Sequence, residues 1–108
     1  MSANATLTVI APSSLVTRDE VRDWLIGKLP DELSASSIEV NLEQVEVPTP
    51  SVIDEFVKEI LTERHAPKLI FTNANDRAMT LIERSIQTRN VKKLVSASTR
   101  PKSRFRFW

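Results

Sequence analysis

A small α/β domain is the fold class this sequence predicts: a mixed or parallel sheet of three to four strands combined with three helices. Three observations predict it. The strand-like runs ATLTVI, IEVNLEQVEV and KLIFT are each followed by a segment of helical periodicity. Turn residues separate the runs, notably Pro12-Ser13-Ser14, Pro30, Pro48, Pro50 and Pro67. The length of 108 residues, 41% of them apolar, suits one domain with a modest core. Strand–helix alternation with right-handed crossovers lays consecutive strands side by side in parallel.

In chain order, residues 5–10 form a first strand, because Leu7 and Val9 alternate with the β-branched Thr6, Thr8 and Ile10. Thr17 and Glu20 have the spacing of a capping box, and Val16 is placed to staple onto Val21. The helix behind that cap sets Val21, Trp24, Leu25 and Leu29 on one face, carries Gly27 near its end and stops at Pro30. Ile38, Val40 and Leu42 then alternate with Glu39, Asn41 and Glu43, the period of a strand with one buried face. Pro48 and Pro50 require a short, stiff loop. Ser51 is the predicted N-cap of a second helix, with Asp54 and Glu55 in the first turn, where the helix dipole favours negative charge. Val52, Ile53, Phe56, Val57, Ile60 and Leu61 supply the apolar face of that helix and leave Lys58, Glu59 and Thr62 to solvent. Arg64 to Pro67 read as a turn and Lys68 to Thr72 as a buried third strand. Asn73, with Asn75 or Asp76, caps a third helix that ends near Arg89 and Asn90. The run VKKLVSA either forms an edge strand guarded by Lys92 and Lys93 or trails off. The domain so defined spans residues 1–97, and 98–108 form a basic, aromatic tail.

Composition excludes several kinds of chemistry. No cysteine is present, so disulfides, thiolate metal sites and cysteine nucleophiles are ruled out. A single glycine cannot build a phosphate-cradling loop or a dinucleotide turn, and no nucleophile-elbow pattern exists. His65 is the only histidine and sits in a turn with no evident acid or base partner. No catalytic, metal or cofactor site is expected. No apolar run approaches the ~20 residues of a membrane span, and the first residues lack the features of a secretory signal, so a cytoplasmic location is expected. The net charge of +1 hides a split: residues 1–88 carry fourteen acids and eight bases, whereas the last twenty residues carry seven bases and no acid. Such asymmetry points to an interaction tail.

Two surfaces emerge as candidates. One is the junction from Pro48 to Ser51 with the helix behind it; Thr49, Ser51, Asp54, Glu55, Lys58 and Glu59 are the candidate partner-binding residues. Ser51 either caps the helix or accepts a phosphate, which free N–H groups at a helix start can hold; Thr49 is the alternative hydroxyl. Asp54 and Glu55 are adjacent in a helix and do not converge as an acid–base pair. The other surface is the tail, where Arg100, Lys102, Arg104 and Arg106 accompany Phe105, Phe107 and Trp108. Interleaved arginines and aromatics suit single-stranded nucleic acid, an anionic membrane surface or addition as a strand, and the same residues also fit a solvated end.

Ser14-Leu15-Val16-Thr17-Arg18 at the first helix start, the strand IEVNLEQVEV, Pro50-Ser51-Val52-Ile53-Asp54-Glu55-Phe56 and Phe71-Thr72-Asn73 together carry a family resemblance. Across residues 5–90 the chain resembles the STAS-like domain family, relatives of the anti-sigma factor antagonists. The resemblance implies a small α/β domain that acts without catalysis by docking on protein partners. It further implies that the partner is a histidine-kinase-like ATPase and that Ser51 matches the serine phosphorylated at the start of the central helix.

Overall fold

The computed structural model describes residues 5–100. Strands and helices alternate through them as β1 (Ala5–Ile10), α1 (Arg18–Ile26), β2 (Ser36–Asn41), α2 (Pro50–Val57), β3 (Leu69–Ala74), α3 (Asp76–Arg89) and β4 (Val95–Thr99). The sheet has the order β1-β2-β3-β4, and each neighbouring pair is parallel. The predicted α/β class therefore holds in its parallel, four-stranded form. The optional last strand is real, and a 3₁₀ turn at Lys92–Leu94 leads into it, so the two lysines precede the strand rather than guard it.

Sequential strand order with right-handed crossovers places every helix on the same face of the sheet. α2 is the middle helix and packs against α1 on one side and α3 on the other. Val9, Ile38, Val40, Leu69, Phe71 and Val95 are buried beneath this layer. On the opposite face Thr8, Ile10 and Ser96 are exposed, and Glu39, Asn41, Ile70 and Thr72 are half-buried. A parallel sheet covered on both faces has near-continuous apolar strands; covering on one face alone explains the clean alternation in these. Glu39 ties the bare face together, its carboxylate accepting from the Thr72 hydroxyl at 2.9 Å and from Thr8 at 3.4 Å.

Phe56 stands at the centre of the core. It is fully buried, and its ring meets Trp24 of α1 and Phe71 of β3 edge-on, at centroid distances of 6.1 and 6.4 Å. Helix ends follow local chemistry. The Thr17–Glu20 capping box forms, with the Thr17 hydroxyl accepting from the Glu20 N–H and the Glu20 carboxylate accepting from the Thr17 N–H. Val16, the expected staple, stays 53% exposed. Asn75 caps α3, accepting from the Ala78 N–H at 2.9 Å, and Asn90 closes it in the left-handed conformation at φ 57°. β3 runs two residues beyond the predicted Thr72, through an irregularity at Asn73, whose φ is 56°. None of the described helices is long and apolar enough to cross a membrane.

Candidate functional site

The junction between β2 and α2 differs from its sequence reading in one decisive respect. Thr49, not Ser51, is the N-cap: its hydroxyl accepts from the Val52 N–H at 3.3 Å and donates to the Val16 carbonyl at 3.2 Å. Pro50 then occupies the first helical position, where its fixed φ and missing N–H cost nothing. Ser51 is moved into the helix, half-buried, and Asp54 and Glu55 fall in the second turn, beyond the strongest reach of the dipole.

The loop itself, 42–49, is pinned from three directions. The Arg100 guanidinium nitrogen Nη2 lies 2.9 to 3.3 Å from the carbonyl oxygens of Leu42, Glu43 and Val45. Asn75 donates to the Glu46 carbonyl at 2.9 Å, and Arg77 Nε donates to the Pro48 carbonyl at 3.0 Å. Pro48 is buried. Val47, held between these anchors, is 75% exposed.

By sequence, Arg100 falls in the tail, as a candidate contact to nucleic acid or an anionic surface. It instead continues β4 inward, its N–H donating to the Ala74 carbonyl at 3.0 Å and its Nε to the Asn73 carbonyl at 3.2 Å. The strand and its last anchor thus extend past the predicted boundary at residue 97. Lys102, Arg104, Phe105, Arg106, Phe107 and Trp108 lie outside the described residues.

Further along α2, burial corrects the expected solvent face. Glu55 is 1% exposed and Glu59 is 6% exposed, while Lys58 is half-buried. The middle helix of a three-helix layer has buried flanks as well as a buried base, so only a narrow strip meets water. Glu55 faces α1, where Arg18 lies at 3.1 Å and Arg22 at 3.9 Å, and Lys58 approaches it at 3.7 Å. Past Val57 the helix widens into a π-helical turn, Lys58–Glu63, in place of the single helix predicted to Leu61. Arg64 beyond it is buried and reaches Asp31 at 3.3 Å and Glu59 at 3.9 Å. Glu55 Oε2 and Arg64 Nε have no hydrogen-bond partner. His65 is exposed in its turn at φ 63°.

Asp54 joins all three helices. Its carboxylate accepts from Arg89 Nε and Nη2, both at 2.7 Å, from the Ser85 hydroxyl at 2.8 Å and from Arg18 at 2.9 Å. The Arg89 bonds, helped by Ser85 and Arg18, hold its pKa far below the usual aspartate range. Glu59 is shifted the other way: burial comes first, and second the neighbouring Glu55, which accepts a hydrogen bond from Glu59 in its protonated form, and together they raise its pKa. A carboxyl raised in the folded state contributes stability that is complete below its unfolded pKa and is lost as pH rises through the folded one. Glu59→Gln removes that loss. The variant should gain stability relative to wild type as pH climbs from acid to neutral, and urea midpoints measured across that range should diverge; parallel curves would exclude the effect.

The structure therefore brings Asp54, Glu55, Lys58 and Glu59 into one ion cluster with Arg18, Arg22 and Arg64, and leaves Ser51, Pro50 and Val47 towards solvent. Sequence reasoning missed Arg18, Ser85 and Arg89 as site residues, and missed the loop carbonyls as the partners of Arg100. Nothing local marks them, because their partners lie 27 to 58 residues away along the chain. Among the described residues no group of three or more acidic or histidine side chains is placed to hold a metal ion. Comparison of the chain with protein-family models, curated proteins and solved structures finds no match.

Proposed function

We propose that this domain is a non-enzymatic interaction module that docks on a protein partner through the β2–α2 junction, with Val47 as the apolar anchor. The observation that carries the reading is the pinned loop: three side chains, from the N-cap of α3, from α3 itself and from the end of β4, fix the backbone at 42–49 while Val47 projects from it. A loop held in one conformation before binding avoids much of the ordering cost of association. The carboxyl edge of a parallel sheet, where this loop lies, is also where open α/β folds place their ligands.

The STAS-like resemblance adds the class of partner, a histidine-kinase-like ATPase, and a regulatory step, phosphorylation of Ser51. Two features support Ser51 as the modified hydroxyl. Thr49 already supplies the cap, so the Ser51 hydroxyl is not needed for it. The nearby Asp54 carboxylate is neutralised by Arg18 and Arg89, which removes most of the repulsion a phosphate would meet.

Tagged wild-type protein, Val47→Asp, Ser51→Asp and a chain ending at Arg100 should be compared by affinity capture from the native host. The expected result is one protein retained by wild type and lost by the first two variants. A captured protein indifferent to both substitutions would overturn the reading. Nucleic acid retained by wild type and lost only from the shortened chain would favour the alternative, binding through the basic aromatic residues of 101–108.

A further inference from the structure

We propose that the groove between α2 and α3 receives an acidic peptide segment of the partner, with two carboxylates about 10 Å apart and an apolar residue between them. The inference rests on reading the chain as an interaction module. Pro50, Leu81 and Arg84 line the whole groove; Arg18 and Asp54 complete one end, and Asp76 and Arg77 the other. Of its two hollows, the one of about 200 Å³ falls below the ~300–1,000 Å³ typical of small-molecule sites and the one of about 390 Å³ lies in the lower part of that range. The shape suits the edge of a peptide better than an enclosed metabolite.

Charge selects the occupant. Asp54 is fully engaged by Arg18, Arg89 and Ser85 and presents no net negative charge to the groove. Arg77 spends only Nε on the Pro48 carbonyl. Among the described residues, its terminal nitrogens and the whole Arg84 guanidinium form no ion pair, and both side chains are exposed. Asp76 is the one acid of the lining left to oppose them. Arg77 and Arg84 are seven residues apart on α3, about 10 Å at the rise of an α-helix, and on the same face. A planar guanidinium at each end is suited to bidentate capture of a carboxylate. Leu81, with Pro50 opposite, gives the apolar floor midway between them.

The probe is a fluorescent helical peptide carrying two glutamates two turns apart with a leucine midway, and its control has glutamines at those places. The wild-type domain should bind the acidic peptide about tenfold more tightly than the control at low ionic strength, and added salt should narrow the gap. Arg84→Glu should abolish the preference and Arg84→Lys should keep part of it, while Lys68→Ala, at the other end of the sheet, should change nothing. Arg84 is exposed and forms no hydrogen bond or ion pair among the described residues, so the thermal midpoint of Arg84→Glu should match wild type. Equal affinity for the two peptides, or a preference that survives Arg84→Glu, would overturn the proposal. Loss of a captured partner on Val47→Asp together with equal peptide affinities would sink this inference alone and leave the docking reading intact.

Discussion

Asp54→Ala should destabilise the domain by about 2–3 kcal/mol at neutral pH, somewhat less than the ~3–5 kcal/mol for removing one partner of a fully buried ion pair. The discount reflects the water that still reaches the cluster, since the Arg18 side chain is half exposed. The cost arises because Asp54 is the one carboxylate paired with Arg89 among the described residues, and it shares Arg18 with Glu55. Deleting the carboxylate leaves Arg89 without its partner, leaves Arg18 with Glu55 alone and strands the Ser85 hydroxyl in a buried site. The pH dependence has a definite sign. A carboxyl with a depressed folded pKa contributes stability that is present above its unfolded pKa, ~3.9, and is lost as pH falls. Urea unfolding should therefore show wild type and Asp54→Ala well separated at neutral pH and converging in acid. A loss below ~0.5 kcal/mol, the scale of an ordinary surface ion pair, would mean that the cluster does not join the helices.

Phe56→Ala should have the largest effect of any single substitution, about 4 kcal/mol, within the ~3–5 kcal/mol measured for phenylalanine truncations in cores. Phe56 touches aromatic rings on both the helix layer and the sheet, so its removal opens a cavity that no one neighbour can fill. For a domain whose total stability is on the order of 5–15 kcal/mol, that loss brings the unfolded state within reach at physiological temperature. Phe56→Leu keeps most of the volume and should cost less than half as much. Denaturant midpoints for the two variants, with Trp24 fluorescence as the signal, make the comparison direct. Equal losses from the two variants would show that ring geometry, not filled volume, governs the site.

The alternation of elements was legible in the sequence because the signals are short-range. Thr17 and Glu20 lie three residues apart, and the capping box they predict is the one that forms. Ile38 and Val40 alternate with polar residues because one sheet face is bare, a property each strand carries by itself. The second helix starts two residues before the sequence reading puts it, because Ser51 is the better cap in isolation and Pro50 between them favours the residue before it. Glu59 was misread for a different reason. A wheel drawn on α2 alone marks its polar flank as solvent-facing, and only the position of α2 between α1 and α3 buries that flank. Arg100 shows the same limit, since an arginine among basic residues gives no local sign of three backbone carbonyls waiting 55 to 58 residues earlier.

The order of the strands also shapes how the molecule comes apart. Because β1 to β4 lie side by side in chain order, each strand pairs only with the strand before and the strand after it, as in a short repeat array. The outer strands each have one neighbour, so fraying is expected to proceed inward from the flanks, with β2, β3 and α2 the last segments to exchange their amide hydrogens. Arg100 ties the far flank to the loop that precedes α2. Opening β4 would break that tie, so the amide protection of the 42–49 loop is expected to fall together with that of β4.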